Sequence, residues 1–239
     1  LHGFHYIPHQ PFSNLPMNFG MLSIAAMSFS KGMLVKLLSW AYLPLSAFAV
    51  YGFAKSRWGK RVALTSATIM FLVPACLILS TLTAIDCVVM FYAFLCVFAL
   101  LSWCTSHNRL WLIWSALFCS VAIGVKYQAI VVTFAPAVLL VFIHECYTEK
   151  HSLFRGGQKV FFFSVIVLCG ISPWLVKNFW YTGNPLYPFF NSLFGSQTSY
   201  NVEYSELMRR VGNPIHIFIF SLMEGSAGSL QNWLNGIFT

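Results

Sequence analysis

Long apolar runs alternate with short basic clusters along this chain, and the run lengths predict its elements. Gly32 to Ala54 is the first complete run, roughly 23 residues and long enough to cross a ~30 Å hydrocarbon core. It ends on Lys55, Arg57, Lys60 and Arg61. Val62 to Leu82 returns across the membrane, with Pro74 predicting a kink. Asp86, the only Asp in the chain, follows it. Cys87 to Trp103 goes back and ends at His107 and Arg109. The next run, Leu110 to Ile143, has about 34 residues and as one helix would reach about 50 Å, too long for a bilayer. It would also hold Lys126 near mid-membrane at a cost of several kcal/mol. A hairpin of two short spans turning at Gly124-Val125-Lys126-Tyr127 removes both difficulties. Phe161 to Val176 completes six spans.

The flanks read differently. Residues 1–31 are expected to form an outer-face loop and an interfacial helix, the latter over 17–30, which is too short to span. Residues 32–176 form the six-span region. Residues 177–239 form an outer-face loop and an unfinished C-terminal segment, with a short helix through Glu203, Glu206, Arg209 and Arg210. The apolar pattern is already under way at Leu1 and unfinished at Thr239, as expected for a fragment cut at both ends.

Composition agrees with the run lengths. Hydrophobic residues make up 58% of the chain and charged residues 8%, against about a quarter charged in soluble domains. The expected fold class is all-α, a polytopic transmembrane helical bundle. Continuous runs without period-two alternation exclude a transmembrane β-barrel. The net charge of +8 is no nucleic-acid signal, because the basic residues sit in the short loops that encode topology. Those loops mark the cytoplasmic side, which places Asp86, Lys126 and Lys177 together on the opposite face. The seven cysteines are scattered through apolar runs without CxxC or metal-like spacing, and they read as small hydrophobes.

Few residues carry candidate chemistry. Asp86 stands at a helix junction near the outer boundary. It is either a helix-start residue favoured by the dipole or a functional acid. Lys126 and Lys177 either snorkel to the interface or bind an anionic phosphate as compact point charges. Lys177 belongs to the stretch Ile171–Phe190, where a hydrophobic helix is expected to end at Pro173-Trp174. Lys177 and Asn178 then lead into an aromatic belt of Trp180, Tyr181 and Tyr187, with Gly183-Asn184-Pro185 as a turn. His2, His5 and His9 could meet a metal only on a helix, and Pro8 and Pro11 argue against one. Walker A, GxSxG, HExxH and DxD patterns are absent. No cofactor is assigned, and a divalent metal stays open.

Three segments together resemble a known family. TLTAIDCVVMFYAFLCVFALLSW (from Thr81), SALFCSVAIGVKYQAIVVTFAPAVLL (from Ser115) and PWLVKNFWYTGNPLYPF (from Pro173) are similar, in order and spacing, to segments of the GT-C membrane glycosyltransferases. The nearest patterns are the bacterial protein-O-mannosyltransferase-like and aminoarabinose-transferase-like enzymes, over roughly residues 1–195. The resemblance implies transfer of a sugar from a polyprenyl-phosphate carrier to a glycan, lipid or protein acceptor on the outer face. It implies residence in the bilayer of a bacterial cytoplasmic membrane and no nucleic-acid partner. Asp86 would be the second acid of the active centre, a catalytic residue. Lys126 and Lys177 would bind the carrier phosphate, and Tyr127, Asn178, Tyr181 and Asn184 would line the cavity wall. The family's principal Asp or Glu lies in its first outer loop, yet residues 1–85 contain no acid. That acid is expected upstream of Leu1, and the fragment is expected to be inactive alone.

Two other classes compete. A transporter or flippase would show inverted repeats and helices broken at mid-membrane, and no such halves are visible. A non-catalytic membrane scaffold would use every marked charge as an anchor.

Overall fold

The computed structural model describes residues 15–30, 32–82, 84–148, 153–187, 189 and 194. The histidines of the first segment and the charged segment past Glu203 lie outside them. The described residues fall into two units, one over Pro16–Ser172 and one holding residue 15 and the residues from Pro173 onward.

Within the first unit the elements are α1 (Asn18–Met27), α2 (Met33–Leu72), α3 (Pro74–Thr81), α4 (Asp86–Ser106), α5 (Arg109–Val125), a π-helical turn (Ile130–Phe134), α6 (Ala135–Thr148) and the larger part of α7 (Leu153–Thr182). No strand occurs among the described residues. Among the described residues four helices are long and apolar enough to cross a membrane: Met33–Leu72, Asp86–Ser106, Ile130–Tyr147 and Leu153–Thr182. All six expected runs fall on helices, with adjustments that have local causes.

Helix α2 is two arms, 33–58 and 60–72, folded about Gly59 (φ 83°, ψ 175°). That conformation is essentially open only to glycine. The first arm therefore runs past Ala54, and the basic cluster straddles the turn. The second arm is interrupted rather than kinked. Val73 is extended (φ −58°, ψ 117°) and Pro74 opens α3 at its first turn, because a residue before proline is driven out of the α region while proline suits a helix start.

The expected hairpin forms as predicted. Helix α5 ends at Val125, Lys126 is extended, and its N–H donates to Ala122 O at 3.1 Å. The returning helix widens into a π turn over Ile130–Phe134, where Pro136 can offer no N–H to the turn before it.

The seam between α4 and α5 is built of small side chains. Cys96, Ala99, Ala116, Cys119 and Ala122 are all buried, and Ser115 Oγ donates to Cys96 O at 2.9 Å. Helices in lipid gain little from hydrophobic burial against one another, so close backbone approach and such hydrogen bonds hold them. Gly170 of α7 extends this logic, lying directly against Ser120 of α5. Large apolar side chains point outward instead, Phe48 and Phe161 each being 72% exposed, as a lipid-facing surface requires. All seven cysteines are free thiols.

The unit has two distinct ends. Ser39 Oγ donates to Ala84 O (3.4 Å) and Asn18 Nδ2 to Val121 O (3.4 Å). These contacts gather α1, the start of α2, the start of α4 and the end of α5. At the other end Phe53 meets Phe98 (5.4 Å between centroids) and Trp103 meets His144 (4.9 Å), beside the Gly59 turn and the His107–Asn108 turn.

Candidate functional site

Asp86 is the first residue of α4, and Lys126 follows the last residue of α5. A carboxylate is favoured at a helix N-terminus and a cation at a C-terminus, so both charges suit their helices before they meet. They do meet: Lys126 Nζ donates to Asp86 Oδ1 at 2.9 Å. The Lys126 side chain is 22% exposed and that of Asp86 43%. The pair is therefore neither drowned in solvent nor sealed in the core. One carboxylate oxygen holds the ammonium, while the second oxygen and two of the three ammonium protons remain for further bonds.

The surrounding frame is tight. The Lys126 carbonyl accepts from Ala129 N (3.0 Å) and the Tyr127 carbonyl from Ile130 N (3.0 Å), so the turn leads straight into the returning helix. Tyr127 is buried. Gly124, two residues before the lysine, lies against the side chain of Asn18, and a Cβ there would collide with that amide. Asn18 was not anticipated as part of this end. A lone amide opening a short apolar helix was its signal. Behind it, Phe19, Tyr42 and Phe91 form an edge-to-face chain (5.9 and 5.6 Å) linking α1, α2 and α4.

The residues expected in the boundary stretch belong to the second unit. Here one expectation is corrected: the helix does not end at Pro173-Trp174, nor at Val176, but continues through both to Thr182. Proline leaves the Cys169 carbonyl without its usual N–H, and Ser172 Oγ supplies the bond instead at 2.8 Å. Lys177, Asn178, Trp180 and Tyr181 are thus helical rather than parts of a loop. Lys177 Nζ lies 5.5 Å from the Trp174 ring centroid, a cation–π contact of the anchoring kind. The predicted turn is present, with Gly183 at φ 69°. Asn184 is buried and fully occupied within it: Oδ1 accepts from Leu186 N (2.9 Å) and Nδ2 donates to Phe189 O (2.7 Å). Asn178 is buried too, and Nδ2 reaches Tyr187 O at 3.5 Å, while Tyr181 is 42% exposed.

Among the described residues no group of three His, Cys, Asp or Glu side chains stands together. His107 and His144 stack at 5.6 Å, at the end of the unit away from Asp86.

The chain can thus present a carboxylate and an ammonium, in contact, at one end of a bundle of apolar helices. No curated protein and no solved structure matches it. The family of dolichyl-phosphate-mannose-protein mannosyltransferases does match, over residues 16–176, a span that includes Asp86, Lys126 and every helix between them. The match covers about two thirds of the sequence, and the all-helical, lipid-facing architecture agrees with it. This chain, an integral membrane protein, belongs to the dolichyl-phosphate-mannose-protein mannosyltransferase family, and so to the GT-C membrane glycosyltransferases.

Proposed function

We propose that this chain carries part of a site at which a sugar passes from a polyprenyl-phosphate carrier to an acceptor at the membrane face opposite the basic loops, with Asp86 and Lys126 at the reacting centre. The 2.9 Å contact between these two residues inside the family-matched span carries the reading. Asp86 is also the only carboxylate that the described residues bring to this end, since Glu145 lies in α6 near the opposite turn.

The reaction breaks the bond between the anomeric carbon and the carrier phosphate oxygen, and forms one from that carbon to an acceptor oxygen. The departing phosphate takes the bonding electrons, and the acceptor oxygen gives up a proton. Lys126 meets the first need: its remaining protons reach the phosphate as negative charge develops there. Asp86 meets the second by accepting the proton once the ammonium has turned toward the phosphate. In the resting state the two hold each other in place. In the second unit Lys177, considered by itself, is a phosphate-binding residue. Tyr127 is a wall residue beside Lys126 in the first unit, and Asn178, Tyr181 and Asn184 are wall residues within the second, Asn178 and Asn184 by shaping backbone rather than by touching sugar. A bacterial cytoplasmic membrane is the setting supported by the resemblance of the three sequence segments.

Membranes containing the full-length protein, supplied with polyprenyl-phosphate-linked mannose and an acceptor mixture, test the proposal. Label should move to acceptor with the wild type and fall at least about 100-fold with Asp86→Asn, the scale of a lost general base. Full transfer by Asp86→Asn would remove Asp86 from the chemistry. The family match supports an enzyme over the transporter and scaffold alternatives, and under either of those no labelled acceptor forms.

A further inference from the structure

The two arms of α2 leave an apolar groove of about 470 Å³ between them, lined by Ala47, Phe48 and Tyr51 on one arm and Leu64, Ala67 and Leu72 on the other. Phe48, Leu64 and Leu72 are each more than half exposed, so the groove opens sideways to the hydrocarbon. Toward the Gly59 turn the lining ends at Tyr51 and Leu64. Lys55 and Lys60 lie one helical turn beyond, about 6 Å along the axis. Lys55 Nζ stands 5.7 Å from the Tyr51 ring centroid, which ties the basic turn to the mouth of the groove.

Four cations crowd this turn: Lys55, Arg57, Lys60 and Arg61, all exposed. Among the described residues none of them is in an ion pair. Arg57 rests on the Phe53 ring at 4.8 Å. No acid precedes Asp86 in the sequence, Asp86 is at the opposite end of the unit, and Glu145, the described acid at this end, is buried in α6 and makes no ion pair with the four cations. Topology alone would account for basic residues here. It does not account for an open apolar channel beginning one turn below them. A ligand that is anionic at one end and a hydrocarbon chain at the other matches both features in their order along the helices. Clusters of four or more Lys and Arg beside a transmembrane helix attract anionic lipid.

We propose that the α2 hairpin binds one anionic glycerophospholipid of the host membrane, its phosphate on the Lys55–Arg61 turn and an acyl chain between the arms. This site is separate from the sugar-donor end, which lies at the other end of the unit.

The test uses the full-length protein in neutral detergent, with phosphatidylglycerol or phosphatidylcholine added, read by thermal midpoint and by native mass spectrometry. A ligand that binds only the folded state raises the midpoint. Phosphatidylglycerol should raise it by several degrees and remain bound as one lipid per chain, and phosphatidylcholine should do neither. Lys60→Gln with Arg61→Gln should abolish the shift through the headgroup, and Ala67→Phe should abolish it by filling the groove. Should Ala67→Phe show no folding transition, Ala47→Leu fills the same groove from the other arm with a smaller side chain. Equal shifts from the two lipids would overturn the proposal. So would a phosphatidylglycerol shift that survives either the groove-filling or the charge-removing substitution.

Discussion

Lys126 and Asp86 are forty positions apart in sequence and touch at 2.9 Å, one just past the end of α5 and the other opening α4. With both side chains partly exposed, such a pair contributes only about 0–1 kcal/mol to stability. Its chemical value is the larger one. Asp86→Asn and Lys126→Met, singly and together, should therefore change the thermal midpoint little while cutting sugar transfer by about 100-fold or more. Melting curves and transfer rates on the same preparations check this. A collapse in stability matching the loss of transfer would make the pair a structural strut.

Gly170 predicts a different behaviour. A Cβ there would lie 2.6 Å from Ser120 Cβ, an atom that moves only with its backbone. Gly170→Ala should destabilise the protein by about 1–3 kcal/mol through overpacking. Ser120→Gly in the same chain should restore most of that, and thermal unfolding of the single and double variants measures it.

The Gly59 turn makes a third. Its φ of 83° with ψ of 175° has no comfortable counterpart in residues with a Cβ, at a cost of about 1–3 kcal/mol. Gly59→Val should lower the midpoint by that amount. Gly52→Ala, on the first arm with open space around it, should be neutral or better as helix propensity rises.

Asn184 separates a framework role from a contact role. Its amide closes the turn after α7 through Leu186 N and Phe189 O. Asn184→Ala leaves buried partners unmet and should cost about 1–3 kcal/mol. Asn184→Asp, which keeps the acceptor for Leu186 N and loses the donor to Phe189 O, should fall between. A variant that is fully stable but inactive would instead place Asn184 against substrate.

Run length and parity made the Asp86–Lys126 face legible in the sequence. A 34-residue apolar run with a lysine at its centre has to turn, and alternate crossings then return the turn to the side of Asp86. The basic cluster likewise located the Gly59 turn to within a few residues. The end of α7 was not legible. Proline read as a terminator, and only the Ser172 hydroxyl on the Cys169 carbonyl, seen in three dimensions, explains why the helix runs on. Asn18 escaped for a related reason. Its meaning depends on Gly124, which is distant in sequence and joined to it only by packing.

Donor kinetics of Lys126→Ala in the full-length protein, compared with Asp86→Asn, separate a phosphate-binding lysine from an interfacial anchor. Lys126→Ala should raise the KM for polyprenyl-phosphate-linked sugar at least about tenfold, about 1.4 kcal/mol of lost phosphate binding. Acceptor KM should stay in place and kcat should fall as well, because the ammonium meets charge that develops on the departing phosphate; Asp86→Asn should lower kcat with donor KM unchanged. Unchanged donor KM and near-normal turnover in Lys126→Ala would contradict phosphate binding by Lys126, and would leave the lysine an interfacial anchor.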